Sequence, residues 1–150
     1  MTKLLLNKGS LGCILVLLLA FITSCEKNGK YIEHYENGQI RNIESYKGGK
    51  LDGKYTYYYE NGQIAWEGNY KDGKEDGKWT SYYKNGQIKA EENYKDGKWD
   101  GKWTLYYKNG QILSERSYKD GKEDESHWYD YYENGQIRYI ESYKDGVRID

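Results

Sequence analysis

The sequence predicts an all-β chain built from five tandem β-hairpins, and three observations carry that expectation. Asn-Gly-Gln-Ile recurs at 37–40, 61–64, 85–88, 109–112 and 134–137, at spacings of 24, 24, 24 and 25 residues. Self-similarity at a fixed period of this size marks a repeat architecture, in which each copy is one supersecondary unit. Each Asn-Gly stands between aromatic and aliphatic runs, the strongest short-range hairpin signal. The 18 glycines also recur too often to leave a stretch of about 10 to 12 residues with a helical period of 3.6.

The copies fall at 31–54, 55–78, 79–102, 103–127 and 128–150, preceded by a segment at 1–24 and a short polar stretch at 25–30. A two-residue type I′ turn at Asn85-Gly86 would set Lys84 opposite Gln87 and Tyr83 opposite Ile88, giving strands of about five to eight residues. The second connection, Tyr70-Lys-Asp-Gly-Lys-Glu-Asp-Gly-Lys-Trp79, admits a tight turn at Asp72-Gly73 or a wider loop from 72 to 77. The tight turn sets Lys71 against Lys74, an unfavourable like-charge pair. The wide loop, with Tyr70 opposite Trp79, is therefore expected. It would also absorb the extra residue of the last copy, where Glu125-Ser126 replaces a single glycine.

Strand side chains alternate between faces, so parity sorts the repeat. One face collects Tyr31, Tyr55, Trp79, Trp103 and Trp128, the tyrosines at 35, 59, 83, 107 and 132, the turn isoleucines, and Tyr46, Tyr70, Tyr94, Tyr118 and Tyr143. These rings are expected to form the core, since aromatic and β-branched cross-strand pairs are what stabilise a sheet. The chain has little else to use: from residue 25 onward there are 13 Ile, Leu and Val against 24 Trp and Tyr. The other face carries Thr56, Thr80 and Thr104, the series His34, Tyr58, Tyr82, Tyr106 and Tyr131, and acids at Glu67, Glu91 and Glu115. Successive tyrosines of that series lie two strands apart, roughly 10 Å. This aromatic row flanked by acids is the candidate binding face: Tyr58, Tyr82, Tyr106, Tyr131, Glu67, Glu91 and Glu115.

The segment at 1–24 has Lys3 and Lys8, no acid, and an uncharged apolar run at 11–22. That order, charged then apolar then small, is that of a secretory signal. The run is too short for the roughly 20 residues that span a bilayer. It ends in Ile22-Thr-Ser-Cys25, which resembles the bacterial lipobox. The resemblance implies cleavage before Cys25, lipidation of its thiol and acylation of the new amino terminus. Two acyl chains already give stable anchoring. The expected location is the bacterial cell envelope: the outer membrane of a Gram-negative cell or the surface of a Gram-positive one. Loss of the leader leaves 21 basic and 24 acidic side chains, which is not the basic footprint of a nucleic-acid binder.

Tyr-Tyr-x-Asn-Gly-Gln-Ile, followed by Glu-x-x-Tyr-Lys-Asp-Gly-Lys-x-Asp-Gly-Lys-Trp, resembles the MORN repeat in the bacterial variant found in lipoproteins and in proteins labelled as antitoxins of toxin–antitoxin systems. The resemblance covers about residues 31–146 and implies an elongated antiparallel sheet of consecutive hairpins. Ten strands at about 4.8 Å would make it roughly 48 Å long. The departures fall at the ends: Tyr31 and Tyr55 replace Trp, Gly48 replaces the loop Asp, and the last copy lacks its loop glycine. A stacked array needs such atypical terminal units as caps. MORN repeats also occur beside phosphatidylinositol phosphate kinase domains, but no Gly-rich phosphate loop at a strand-to-helix junction is present to suggest that activity.

Catalytic chemistry is not expected. Outside the leader there are two histidines, His34 and His127, in different copies, and one cysteine assigned to lipid. A zinc site takes about four such ligands, so neither a metal nor another cofactor is expected. Adjacent acids such as Glu91 and Glu92 point to opposite faces of a strand, wrong for shared acid–base work. The sequence thus predicts a lipid-anchored scaffold that meets a protein or a glycan. An antitoxin or immunity role is implied only by the family label. Cell-wall binding is a third reading, because Gly-Lys-Trp-Thr-Leu-Tyr-Tyr superficially resembles choline- and glucan-binding repeats with aromatic cages for cations. Self-association is a further expectation for a single sheet with an apolar face.

Overall fold

The computed structural model describes residues 26–132 and 134–149. The expected leader and the Cys25 anchor lie outside the described residues. The chain forms one antiparallel sheet of thirteen strands: β1 Gly29–His34, β2 Ile40–Lys47, β3 Lys50–Leu51, β4 Gly53–Tyr58, β5 Ile64–Lys71, β6 Lys74–Tyr82, β7 Ile88–Lys95, β8 Lys98–Trp99, β9 Gly101–Tyr106, β10 Ile112–Lys119, β11 Lys122–Tyr131, β12 Ile137–Lys144 and β13 Val147–Arg148. Neighbours in sequence are neighbours in space, and the sheet is open, with β1 at one edge and β13 at the other. β3 with β4, and β8 with β9, are single strands interrupted at Asp52 and Asp100, and β13 has two residues. Ten long strands remain, as five hairpins require.

The two turns exchange the roles that the sequence suggests. Asp72 and Gly73 both have positive φ, 51° and 85°, and Lys71 pairs directly with Lys74. This is the tight type I′ hairpin, and it recurs at Asp96, Asp120 and Asp145, the only other non-glycine residues with positive φ among those described. In the first copy Gly48 meets the same demand with φ 55°. The expected wide loop fails because it weighs a like-charge pair above turn geometry. Lys71 and Lys74 are exposed, where water and salt leave little of their repulsion. At the other end, the Gly86 amide donates to the Tyr83 carbonyl (2.9 Å) and the Tyr83 amide to the Gln87 carbonyl (2.8 Å). Only the glycine has positive φ there, so Lys84 and Asn85 are the centre of a type I turn followed by a left-handed glycine. Asn85 Oδ1 accepts the Gln87 amide at 3.2 Å, which fixes the asparagine in that turn. The closing pair is Tyr82 with Ile88, not Tyr83 with Ile88.

Neighbouring copies are joined at both ends. Tyr35, Tyr59 and Tyr83 donate their hydroxyls to the carbonyls of Tyr58, Tyr82 and Tyr106, 23 residues on, at 2.6, 2.7 and 2.6 Å. The direct pairing between β2 and β4 stops at Asn42–Tyr57, so the phenol takes up the carbonyl just beyond it. At the opposite end the turn amides of Gly73, Gly97 and Gly121 donate to the carbonyls of Leu51, Glu75 and Trp99 in the preceding copy, at 2.7, 2.9 and 2.8 Å.

Between these ends β6 carries a bulge. Asn69 pairs with Asp76 and Glu67 with Thr80, so two extra residues of β6 lie against β5. Gly77 sits there with φ 78°, and Gly53 and Gly101 occupy the equivalent place at 107° and 108°. The last copy has Glu125-Ser126 instead, and β11 makes only a one-residue bulge, between Ser117–Glu125 and Tyr118–Glu123. Glu115 then faces His127 rather than the residue after the tryptophan. The insertion is absorbed by a shift of register and not by a loop.

The core is thin. Ala65, Trp79, Ala90 and Tyr118 are the buried hydrophobic residues among those described, while Trp128, Tyr132 and Ile137 are exposed. The ring ladder exists but is half-buried: Tyr55, Tyr70, Trp79 and Tyr94 make successive edge or tilted contacts at centroid distances of 5.1 to 6.3 Å. Trp79 lies on Gly68, where an added Cβ would come within 2.1 Å of Trp79 Cδ2. Gly68→Ala should therefore destabilise the protein by about 2 kcal/mol or more, read as a loss of melting temperature; an unchanged melt would mean that Trp79 does not rest there. Tyr83→Phe should cost about 1 kcal/mol, by leaving the Tyr106 carbonyl without its donor, whereas Tyr31→Phe should be near neutral.

Candidate interaction surface

The face opposite the ring ladder carries one motif three times. Glu67 accepts the Tyr82 hydroxyl (3.0 Å) and pairs with Lys54 Nζ (2.8 Å). Glu91 accepts Tyr106 (3.2 Å) and pairs with Lys78 (2.6 Å). Glu115 accepts Tyr129 (3.1 Å) and pairs with Lys102. Strand alternation places the lysine, the acid and the tyrosine on one side of three successive strands, and the repeat copies the arrangement along the sheet. Between these rows Thr56 and Thr104 are buried.

The row anticipated from sequence is thus assembled for Glu67, Glu91, Glu115, Tyr82 and Tyr106. In the last copy the hydroxyl at Glu115 belongs to Tyr129, because the register shift of β11 moves the chain by two residues. Tyr131 stands further along the same strand, edge-on to Tyr107 at 6.2 Å, and the Glu115 charge still reaches it after burial in raising its hydroxyl above the usual phenol range. Tyr58 pairs with Ile64 at the turn end of β4 and does not touch Glu67 in this motif. The lysines were missed by sequence reasoning, although each precedes its acid by a constant 13 residues, a signal visible once the strands are in register.

The Lys54 ammonium holds the Glu67 carboxyl below its ordinary range, with the Tyr82 hydroxyl assisting against desolvation. Burial, then the Glu67 carboxylate, pushes Tyr82 up; burial and Glu91 do the same for Tyr106. A carboxyl lowered on folding contributes stability above its unfolded value of 4.5, and that contribution is lost as pH falls through the folded value. Melting temperature should therefore fall below about pH 4.5, and Glu67→Gln should flatten that part of the profile; an equally steep profile in the variant would contradict the pairing.

The ring face is not purely apolar. Tyr57 and Trp66 stack on it at 4.2 Å and 9°. Acids stand among the rings: Glu44 accepts the Tyr46 hydroxyl (2.9 Å), and Glu92 accepts Tyr94 (2.5 Å) and Trp99 Nε1 (3.2 Å). Glu91 and Glu92 do face opposite ways, as alternation requires. Burial, then Glu75, pushes the Tyr70 hydroxyl up to about 12. A shallow cleft of about 350 Å³ opens on this face among Trp66, Tyr70, Glu75, Trp79, Glu92 and Tyr94.

These features define a tandem β-hairpin repeat protein whose two faces carry different ordered rows. The chain matches the MORN repeat variant at residues 27–47, 51–72, 75–96, 99–120 and 125–145, and it belongs to that family. No curated protein matches it. Among solved structures it is similar, at a TM-score of 0.28 and 14% identity, to a chain of the GtfA/B complex crystallised with UDP and GlcNAc. That likeness covers 77% of this chain and 24% of that one, so the protein spans about a quarter of the other's length.

Proposed function

We propose that this protein is a lipid-anchored, non-enzymatic scaffold that captures a protein or a glycan at the bacterial envelope. The observation that carries the reading is the repetition itself. Five copies stand at successive steps of one open sheet and the Lys–Glu–Tyr motif is presented three times along it, which suits an extended partner and does not converge reacting groups on one point. The Lys–Glu–Tyr row supplies planar rings about 10 Å apart, with charges held in place by their neighbours. The anchoring part of the reading rests on the sequence at 1–25, with its uncharged run and Ile-Thr-Ser-Cys ending.

Two experiments test the two parts separately. Cys25→Ser should move the protein from the membrane pellet to the soluble fraction; a variant that stays in the pellet overturns lipid anchoring. For the surface, affinity capture from the protein's own envelope, with a parallel pull-down on purified peptidoglycan, should recover a partner with the native protein. Tyr82→Ala with Tyr106→Ala should reduce that recovery about tenfold or more while circular dichroism is unchanged. Undiminished capture by the double variant would move the site off this face.

A further inference from the structure

The fourth and fifth copies show what the ring face does with a cation. Arg116 places its guanidinium carbon 4.4 Å from the Trp128 ring centroid and 5.1 Å from that of Trp103. Its Nη1 lies 3.4 Å from the Tyr118 hydroxyl and 3.6 Å from Glu123 Oε2, and Tyr118 in turn donates to Glu123 at 3.2 Å. Two indole faces, a phenol and a carboxylate thus enclose one planar cation. Each group supplies attraction that a guanidinium uses well: ring quadrupoles toward its face and a carboxylate toward its edge.

About two copies earlier the repeat keeps the phenol, the acid and one indole of this cage but not the cation, and Tyr55 stands where Trp103 does. Tyr70, Glu75 and Trp79 are the counterparts of Tyr118, Glu123 and Trp128, and Gly68 stands where Arg116 does. Trp79 settles on that glycine, and the cleft of about 350 Å³ remains, bounded by the indoles of Trp66 and Trp79 and by the carboxylates of Glu75 and Glu92. No lysine or arginine lines it. Its volume lies at the lower end of the range for small-ligand sites. We infer that this cleft, whose second indole is Trp66 at the position Ser114 holds two copies later, binds an arginine side chain of a partner protein, with its guanidinium against the rings of Trp66 and Trp79 and its charge met by Glu75 and Glu92. The site lies on the opposite face from the Lys–Glu–Tyr row, so either can fail while the other stands.

The test is indole Nε1 chemical shift in the full-length protein, in detergent micelles, titrated with the capped peptide acetyl-Gly-Arg-Gly-amide and with its citrulline counterpart, which is neutral and nearly isosteric. Of the five tryptophans, Trp66 and Trp79 should shift saturably with the arginine peptide, Trp103 and Trp128 should not, and the citrulline peptide should leave all of them in place. Glu75→Gln should weaken the arginine response about fivefold. Trp66→Leu, at a ring that is 39% exposed, should abolish the response at Trp79, with circular dichroism reading whether the sheet survives loss of the stack on Tyr57. Equal shifts from both peptides, shifts from chitin oligosaccharides but not from arginine, or no saturable shift at Trp66 and Trp79, would each overturn the assignment.

Discussion

A sheet one layer thick has no interior in which to hide side chains, so its stabilising contacts must be made between neighbouring strands, and here they exist only because successive copies enter the sheet in a common register. The phenol that reaches a carbonyl 23 residues on, the turn amide that bonds the preceding copy, and the lysine that finds its glutamate are all register-dependent. Each is modest alone, about 1 kcal/mol or less. A repeat array adds such terms copy by copy, which is how a chain with so few buried aliphatic groups holds a fold.

Register is in turn set by backbone conformations that few residues tolerate. The Asp-Gly turns need positive φ twice, and the two-residue bulges need it once more at Gly53, Gly77 and Gly101. Where the last copy offers Glu125 in place of that glycine, the wide bulge is lost and β11 pairs two residues out of step. The consequence is local: Tyr129 takes the place at Glu115 that Tyr131 would hold in the common register, and Trp128 pairs with Ser114, two residues from Arg116. One missing glycine thus changes which side chains meet on both faces.

This explains which parts of the molecule the sequence makes legible. The period, the five hairpins, the aromatic ladder and the pairing of Glu67 and Glu91 with neighbouring tyrosines follow from composition and strict alternation, and alternation holds wherever pairing is regular. Bulges break it. A parity argument has no way to see that Gly77 lets Trp79 lie on Gly68, because that placement depends on pairing across strands rather than along one. The turn at Asp72-Gly73 departs from expectation for a different reason: repulsion within an exposed lysine pair is weaker than the preference of Asp-Gly for the left-handed conformation. The cleft beside Trp66 has no linear signature at all, since it is bounded by residues of three strands.

Amide hydrogen exchange tests most directly whether the copies are bound into one register. Gly73, Gly97 and Gly121 stand at the tips of exposed turns, where isolated hairpins would leave their amides to exchange at nearly free rates. Their bonds to Leu51, Glu75 and Trp99 of the preceding copy predict protection comparable to that of the strand amides beside them. Free exchange at these three glycines, with the strands still protected, would contradict the account.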